Sequence, residues 1–244
     1  MLLKDSVAIV TGAAKRVGNA IAQQLAIRGV HIVLHYHTSQ KEAEAAAKLL
    51  EKEGVEVFCL KADLSRVEEV ERFVDEARMK AGKIDILINS ASQYNETVFG
   101  TIQEKDWDRH LDTNVKGPFF LAQSVAKSMQ EQKRGKIVNI LDAHLNRPYV
   151  NYLPYFVSKS AMVGLTYCLA RELAPHVQVN AIAPGPVLMR PEWGDELIQE
   201  IIDSVPLQRI GSPEDIANGV LFCLEASDFM TGAIIPIDGG QRLK

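Results

Sequence analysis

Tyr155 and Lys159 are the two side chains whose types and spacing point most directly to acid–base chemistry. They are four positions apart, so a helix would carry both on one face. An ammonium beside a phenol favours the phenolate and is expected to lower the pKa of the tyrosine. Pro154 suits the first position of a helix, which would put Tyr155 at the positive end of the helix dipole. The pair predicts a tyrosine that donates a proton near neutral pH.

Asp142 lies thirteen positions before Tyr155 and follows an apolar run. An ionised aspartate only accepts hydrogen bonds, so it cannot donate to a ketone oxygen. It suits a heterocycle that carries N–H groups and accepts a proton on nitrogen. The alternative interpretation is a turn-forming carboxylate after a strand. Asp142 therefore favours reduction of a nitrogen-containing ring over reduction of a plain carbonyl.

A glycine-rich turn follows the first apolar run and begins at Thr11. Gly12 and Gly18 permit a tight turn and close packing of strand against helix. A helix that starts here would direct its first backbone N–H groups at a pyrophosphate. We predict that Gly12, Arg16, Val17 and Gly18 bind the phosphates of a dinucleotide.

The end of the second apolar run bears on the choice of cofactor. Enzymes that select NAD usually place an Asp or Glu there, whereas residues 35–41 of this chain contain no carboxylate and the first one after them is Glu42. Arg16, Lys41 and the nearby hydroxyls could instead hold a 2′-phosphate through charge-assisted hydrogen bonds; the other interpretation is a solvated loop. We predict NADPH or NADP+ as the cofactor, with contacts from His35, Tyr36, His37, Thr38 and Ser39.

The runs that follow supply further candidate contacts. Asp63 and Leu64 come after the third strand-like run, where an adenine edge would lie, and Asn89, Ser90 and Ala91 come after the fourth. In open parallel sheets, ligands bind beyond the C-terminal ends of the strands. We therefore expect all these residues to meet at one edge of a sheet.

Strand-like and helical segments alternate along the whole chain. The strand-like runs cover residues 7–10, 31–34, 55–60, 84–88, 136–141, 177–182 and 233–237. The helical patterns cover residues 17–27, 41–52, 66–80, 107–129 with a break near 114–118, 155–173, 198–202 and 216–224. This alternation predicts an α/β fold, a Rossmann-type doubly wound parallel sheet with helices on both faces.

We predict a single domain over residues 1–244, because no linker, repeat or low-complexity tract divides the chain. Only residues 185–213 depart from the alternation, with several prolines beside apolar Val187, Leu188, Met189 and Trp193. This segment is either a lid over the site or a surface excursion packed on its own side chains.

Composition excludes several classes of protein. The net charge of -4 leaves no basic stripe for nucleic acid, and no apolar run approaches the length of a membrane helix. The N-terminus lacks the apolar core of a signal peptide. The three cysteines, Cys59, Cys168 and Cys223, have no metal-ligand spacing, so we expect reduced thiols and no metal site. We also expect a cytoplasmic protein that acts on a small molecule.

Together these motifs resemble the short-chain dehydrogenase/reductase superfamily in order and spacing, from about residue 7 to residue 240. The shared motifs are Thr11-Gly12 with Gly18, Asn89-Ser90-Ala91, Asn114, Tyr155 with Lys159, and Pro184-Gly185. The resemblance implies a seven-stranded parallel sheet, a nicotinamide cofactor, Tyr155 as acid or base, Lys159 on the nicotinamide ribose, and Asn114 positioning a water in a proton relay. It also implies contacts from Pro184 and Gly185, and a homotetramer by analogy.

Two departures from that superfamily resemble the pteridine reductases. Arg16 stands where the superfamily usually has glycine, and Asp142 stands where it usually has serine. The run 34–37 is also similar to theirs, although Thr38 stands where an arginine for the 2′-phosphate can occur and no threonine follows Pro184-Gly185. The resemblance implies a substrate pocket formed by Arg16, Ser92, Tyr94, Asp142, Tyr152 and Tyr155, in which Tyr94 sandwiches a pterin against the nicotinamide.

The sequence therefore predicts an NADPH-dependent reductase that transfers hydride to a C=N bond of a pterin, a dihydropterin or a dihydrofolate. Two alternatives stay open. One is a reductase of the same superfamily that acts on a 3-oxoacyl thioester or another carbonyl. The other is a nucleotide-sensing regulator on a retired reductase fold, which Asn114, Tyr155 and Lys159 argue against.

Overall fold

A seven-stranded, all-parallel sheet forms the centre of the protein in a computed structural model that describes residues 2–189 and 193–244. The described strands are β1 (Val7–Val10), β2 (His31–Tyr36), β3 (Val57–Lys61), β4 (Ile86–Asn89), β5 (Gly135–Ile140), β6 (Val177–Pro184) and β7 (Ile234–Ile237). Their order is β3-β2-β1-β4-β5-β6-β7. The direction of progression reverses between β1 and β4, which is where such sheets bind ligands. The predicted doubly wound fold is confirmed.

The described ranges contain eight α-helices, six of which contribute buried side chains to the cores on the two faces of the sheet. The eight helices are α1 (Arg16–Ile27), α2 (Gln40–Leu50), α3 (Val67–Ala81), α4 (Glu104–Leu111), α5 (Gly117–Glu131), α6 (Leu153–Glu172), α7 (Asp195–Ser204) and α8 (Pro213–Glu225). Buried side chains of α1, α2 and α8 pack on one face, and those of α3, α5 and α6 pack on the other.

The first strand shows why the sheet is apolar on both sides. Ala8 and Val10 belong to the core under α1 and α8, whereas Val7 and Ile9 belong to the core under α3 and α5. Successive side chains of a strand point to opposite faces, so a strand covered on both faces reads as one continuous apolar run. The run at 7–10 was predictable for that reason.

The break predicted near residues 114–118 is wrong. The chain stays helical from α4 to α5 through one wide turn, Asp112–Lys116, in which the N–H of Gly117 donates to the carbonyl of Asp112 five positions earlier. Pro118 then falls in the first turn of α5, where a missing N–H costs little. Wide turns of this type often mark functional sites, and this one carries Asn114.

The predicted lid at 185–213 contains α7 and two connecting loops. Residues 190–192, with Pro191, lie outside the described residues. Trp193, Leu197 and Ile201 face the main cavity, whose edge this segment forms. Its opening or closing stays a prediction. No helix in the described part of the chain is both long enough and apolar enough to cross a membrane.

Candidate active site

One cavity of about 1660 Å³ opens at the C-terminal ends of the strands. Ligand pockets typically measure about 300–1,000 Å³, so this volume suits a dinucleotide and a second small molecule side by side. Of the predicted site residues, it is lined by Gly12, Arg16, Val17, Gly18, His35, His37, Asp63, Leu64, Ser90, Ala91, Ser92, Tyr94, Asp142, Tyr152, Tyr155, Lys159, Pro184 and Gly185. Residues separated by more than a hundred positions therefore meet as predicted.

Five predicted site residues do not line the cavity: Tyr36, Thr38, Ser39, Asn89 and Asn114. Tyr36 packs against the hydrophobic core instead. Asn89 is buried, and its amide donates to Oδ1 of Asn139 at 2.8 Å, which ties β4 to β5. A direct role for these residues in ligand binding stays a prediction.

The glycine-rich turn is held at short range by its neighbours. Gly12 has a φ of +65°, and a Cβ there would come within 3.0 Å of the Cα of Ala91. At Gly18, a Cβ would come within 2.4 Å of the carbonyl oxygen of Gly12. Both positions therefore require glycine. The Thr11 hydroxyl fixes the facing strand end, since its oxygen accepts hydrogen bonds from the N–H groups of Ser90 and Ala91, each at 2.9 Å.

His35, near the end of β2, forms a hydrogen bond with this turn. The N–H of Gly12 donates to Nδ1 of His35 at 3.1 Å, and Nε2 lies 3.0 Å from the carbonyl of Ala62. Nδ1 must accept, so Nε2 carries the proton and the ring is neutral. Burial disfavours the imidazolium and lowers the pKa of His35 to about 4. The predicted cofactor contact is therefore also a brace between β2, β3 and the turn.

The start of α1 fits a pyrophosphate. Its first turn has neither a side-chain cap nor an acidic residue, so backbone N–H groups and the positive end of the dipole are free to face an anion in the cavity. Arg16 lines the cavity beside it and makes no hydrogen bond or ion pair with any described residue. The residues present therefore fit a dinucleotide.

The two carboxylates nearest the end of β2 each lie beside a basic side chain. His37 lines the cavity with its Nε2 atom 3.9 Å from Asp63. Glu42, the first carboxylate after the strand, is paired with Lys15 at 3.2 Å. Lys15 also lines the cavity and was not predicted. Its place beside Arg16 in the sequence was the signal that could have identified it.

Tyr155 and Asp142 form the centre of the site. The Tyr155 hydroxyl donates to Oδ2 of Asp142 at 2.9 Å, and Tyr155 is 6% exposed. Burial raises the pKa of Tyr155 well above its usual value, and the charge and hydrogen bond of Asp142 raise it further. The expectation that Lys159 lowers this pKa is wrong. The carboxylate, not the ammonium, contacts the phenolic oxygen.

Lys159 is oriented by the backbone. Its Nζ donates to the carbonyl of Ile140 at 2.7 Å and lies 5.8 Å from the centroid of the Tyr155 ring. Burial lowers the pKa of Lys159 to about 8, although Asp142 acts in the opposite direction. Lys159 is thus placed over the face of the phenol rather than at its oxygen.

The Asn114 side chain makes three hydrogen bonds with other residues of the protein. Its Oδ1 accepts from the N–H of Gln93 at 2.7 Å, and its amide donates to the Gln93 carbonyl at 3.0 Å and to the Ser158 hydroxyl at 2.9 Å. These contacts join the wide turn before α5 to the loop after β4 and to α6. The positioning of a water by Asn114 stays a prediction.

Three tyrosine rings cluster on the substrate side of the cavity. Tyr94 stacks on Tyr152 with centroids 4.7 Å apart and an interplanar angle of 15°. It also meets Tyr155 edge-on at 4.7 Å. No flat ligand fits between Tyr94 and Tyr152 at that separation, so a ligand that stacks between these two rings would have to separate them. Ser92 lines the same region, and its hydroxyl donates to the carbonyl of Gln93.

The comparisons with known proteins agree with this geometry. A protein-family profile described as enoyl-(acyl carrier protein) reductase matches residues 12–242. A structure described as that of a short-chain alcohol dehydrogenase from Sinorhizobium meliloti 1021 superposes with a TM-score of 0.93 at 32% identity over 100% of both chains. The chain belongs to the short-chain dehydrogenase/reductase superfamily. The predicted oxidoreductase class and use of NAD(P)H are thereby confirmed.

Two relatives of this oxidoreductase are described as 3-oxoacyl-[acyl-carrier-protein] reductases. The 3-oxoacyl-[acyl-carrier-protein] reductase FabG of Staphylococcus epidermidis is 35% identical over 97% of this chain and 98% of its own length. That of Aquifex aeolicus is 33% identical over 98% of both. These relatives favour the carbonyl alternative, so they do not confirm the resemblance to the pteridine reductases. A metagenomic blue fluorescent protein in complex with NADPH also superposes, with a TM-score of 0.91 at 31% identity over 99% of both chains.

Two contacts of Asp142 in this reductase were not predicted. The backbone N–H of His144 donates to Oδ1 of Asp142 at 2.7 Å, and Nδ1 of the His144 ring lies 3.3 Å from the same oxygen. Tyr149 continues the contact, with its hydroxyl 2.9 Å from Nε2 of His144. Both rings line the cavity. A histidine two positions after the candidate catalytic aspartate was the available signal.

Proposed function

We propose that this reductase uses NADPH to reduce a C=N bond of a pterin or dihydropterin. The observation that carries the proposal is Asp142, whose carboxylate lies in the cavity and accepts the hydrogen bond of the Tyr155 hydroxyl. A ketone oxygen needs a donor beside the acid, and an ionised carboxylate is only an acceptor. A ring that carries N–H and amino groups supplies donors for that acceptor.

The aromatic side of the cavity supports a flat substrate. Tyr94, Tyr152 and Tyr155 present ring faces and edges within one cluster. Flat heterocycles stack on such rings, and aromatic contacts add about 0.5–1.5 kcal/mol beyond the burial of area. Arg16 lines the cavity at its cofactor end, where it would meet phosphate and the edge of a bound ring.

The chemistry divides between the cofactor and the protein. When bound, NADPH supplies the hydride. Tyr155 supplies the proton to the substrate nitrogen, and it is fully protonated at neutral pH because its pKa is raised. Asp142 holds the N–H edge of the substrate beside that hydroxyl. Lys159 would bind the nicotinamide ribose and offset the charge that develops on Tyr155.

NADPH rather than NADH is favoured by the end of β2. The first carboxylate there, Glu42, is engaged by Lys15, while Arg16 lines the cavity without a described partner. A 2′-phosphate would meet the charge of Arg16, and the Glu42 carboxylate beside it is already paired. The NADPH complex of the metagenomic relative is consistent with this choice.

Reduction of a 3-oxoacyl thioester is the second candidate. It is favoured by the two 3-oxoacyl-[acyl-carrier-protein] reductases described above. Against it stands Asp142 in place of the usual serine donor. Two further expectations also stay proposals: a cytoplasmic location, and a homotetramer by superfamily analogy, which sedimentation equilibrium of the purified protein would test.

Substitution of Asp142 tests the proposal. Asp142→Asn and Asp142→Ser should each lower dihydropterin reduction by about 10²-fold or more, because the site loses its carboxylate. Asp142→Ser restores a donor, so it alone should gain weak reduction of an acetoacetyl thioester. The measurement is NADPH oxidation with both substrates, and NADPH binding serves as the control for folding. An Asp142→Ser variant with undiminished dihydropterin turnover would refute the role of the carboxylate.

A further inference from the structure

A chain of four hydrogen-bonding side chains leads from the acid to the surface. The Tyr155 hydroxyl contacts one oxygen of Asp142, and His144 contacts the other. The far nitrogen of the His144 ring then contacts the Tyr149 hydroxyl. Tyr155 and His144 are buried, at 6% and 8% exposed, and Asp142 is partly exposed, whereas Tyr149 at the far end is 42% exposed. The buried acid is therefore connected to solvent by groups that can each give and take a proton.

We propose that His144 and Tyr149 conduct protons from solvent to the Asp142–Tyr155 pair after each turnover. This inference rests on the proposed role of Tyr155 as acid, and it does not depend on whether the substrate is a pterin or a carbonyl. His144 acts through Asp142, which it contacts with both its backbone and its ring, so it is a positioning and relay residue. Tyr149 is the entry point.

The need for such a relay follows from the charges at the centre. Once Tyr155 has given its proton to the substrate, a phenolate faces the carboxylate of Asp142 across 2.9 Å. Two like charges at that distance repel, and water has little access to a side chain that is 6% exposed. The phenolate is also a strong base, because its environment raises the pKa of Tyr155. It will therefore take a proton from any neighbouring carboxylic acid.

The protons balance along the chain. His144 gives the proton on Nδ1 to Oδ1 of Asp142 and receives one on Nε2 from the Tyr149 hydroxyl, which takes one from water. Half a rotation of the Asp142 carboxyl group about its Cβ–Cγ bond turns the new O–H toward Tyr155. The phenolate accepts that proton, and the carboxylate is regenerated. His144, now protonated on Nε2, returns to its starting tautomer by gaining a solvent proton at Nδ1 and releasing the Nε2 proton to Tyr149 and water. One solvent proton enters for each proton delivered to the substrate.

Rings around His144 hold this geometry. The Tyr149 ring packs on His144 with centroids 4.7 Å apart, and it also meets Phe156 at 5.6 Å. Tyr149→Phe therefore removes only the hydroxyl and keeps this packing. The backbone hydrogen bond from His144 to Asp142 survives any side-chain change at His144, so Asp142 keeps one of its contacts in every variant.

The variants are His144→Ala and Tyr149→Phe, with His176→Ala and Tyr167→Phe as matched controls outside the cavity. Each is assayed for kcat and KM in H₂O and in D₂O, with and without added imidazole, on the better of a dihydropterin and an acetoacetyl thioester. His144→Ala should lose at least about tenfold in kcat with little change in KM, and imidazole should restore part of the loss. Tyr149→Phe should lose about threefold and show a larger solvent isotope effect.

A His144→Ala variant that binds NADPH normally and either keeps wild-type kcat or gains nothing from imidazole overturns the relay. If that variant does not fold, Tyr149→Phe decides: an unchanged kcat and isotope effect overturn the relay as well. Failure of the pterin proposal looks different, because wild type would then turn over only the thioester. The relay is still measured on that substrate, since it too needs a proton from Tyr155.

Discussion

The Tyr155 side chain is a protonated phenol rather than a phenolate at neutral pH. Burial and Asp142 keep its hydroxyl protonated, while Lys159 is held 5.8 Å from the ring centroid by the carbonyl of Ile140. A reductase needs its general acid to be protonated before hydride transfer, so this arrangement suits the reaction in which NADPH is oxidised. The proton belongs to the coupled set of hydroxyl, carboxylate and ammonium rather than to one residue.

The aromatic cluster yields a prediction at Tyr94. Stacking requires a ring and not a hydroxyl, so Tyr94→Phe should keep the dihydropterin KM within about twofold, whereas Tyr94→Ala should raise it by about tenfold. Steady-state kinetics of both variants at saturating NADPH provide the measurement. Equal KM values for all three proteins would show that Tyr94 packs against Tyr152 without contributing to substrate binding.

His35 makes stability depend on pH. The pKa of its imidazole falls from 6.5 to about 4 on folding, so between those values the unfolded chain binds a proton that the folded protein does not. Stability therefore falls as pH falls through this window, by about 3 kcal/mol for this group. His35→Gln keeps a polar side chain without the titration. Urea unfolding at pH 7 and pH 4 should show a smaller loss for His35→Gln than for wild type; equal losses would contradict the assignment.

At the scale of elements, the first turn of α1 combines strain with charge. Arg16 adopts a φ of 59°, a left-handed conformation that costs a residue with a Cβ about 1 kcal/mol or more. The superfamily usually avoids that cost with glycine. We propose that a ligand contact accounts for the arginine here, since Arg16 lines the cavity.

Arg16→Gly separates strain from binding. The variant should be as stable as wild type or more stable by about 1 kcal/mol, yet bind NADPH about tenfold more weakly. Lys133→Gly is the matched control, because Lys133 also has a positive φ, of 53°, and lies outside the cavity. Fluorescence titration with NADPH and NADH measures binding. NADPH affinity that is unchanged in Arg16→Gly would remove Arg16 from the cofactor site.

The sheet was predictable from sequence because its strands are continuous apolar runs separated by glycine-containing turns. Strands that are buried on both faces consist almost entirely of apolar residues. The turn at Asp112–Lys116 was not predictable. Asn and Pro near each other usually end a helix, and only the contacts of Asn114 with Gln93 and Ser158 show why this one continues. Likewise, His35 reads as a strand-end residue until its two ring contacts are seen.

At the scale of the whole molecule, the topology of the sheet determines which contacts between distant residues can be predicted from the sequence. Parallel strands deliver their C-terminal ends to one edge, so motifs as distant as Gly12 and Pro184 were predictable as neighbours. The contacts of His144 and Tyr149 were not, because they lie on an irregular loop whose path no periodicity encodes. The substrate also stays open at the level of sequence. The overall similarity is to carbonyl reductases, whereas the single residue Asp142 favours a nitrogen heterocycle.

NADPH oxidation by the wild-type protein, with a 7,8-dihydropterin and an acetoacetyl thioester measured side by side, tests the substrate assignment most directly. A site that offers a carboxylate acceptor should reject a substrate that has no matching N–H donor. We predict a kcat/KM for the dihydropterin at least about 10²-fold above that for the thioester. Efficient reduction of the thioester without turnover of the dihydropterin would contradict the account and assign the protein to 3-oxoacyl reduction.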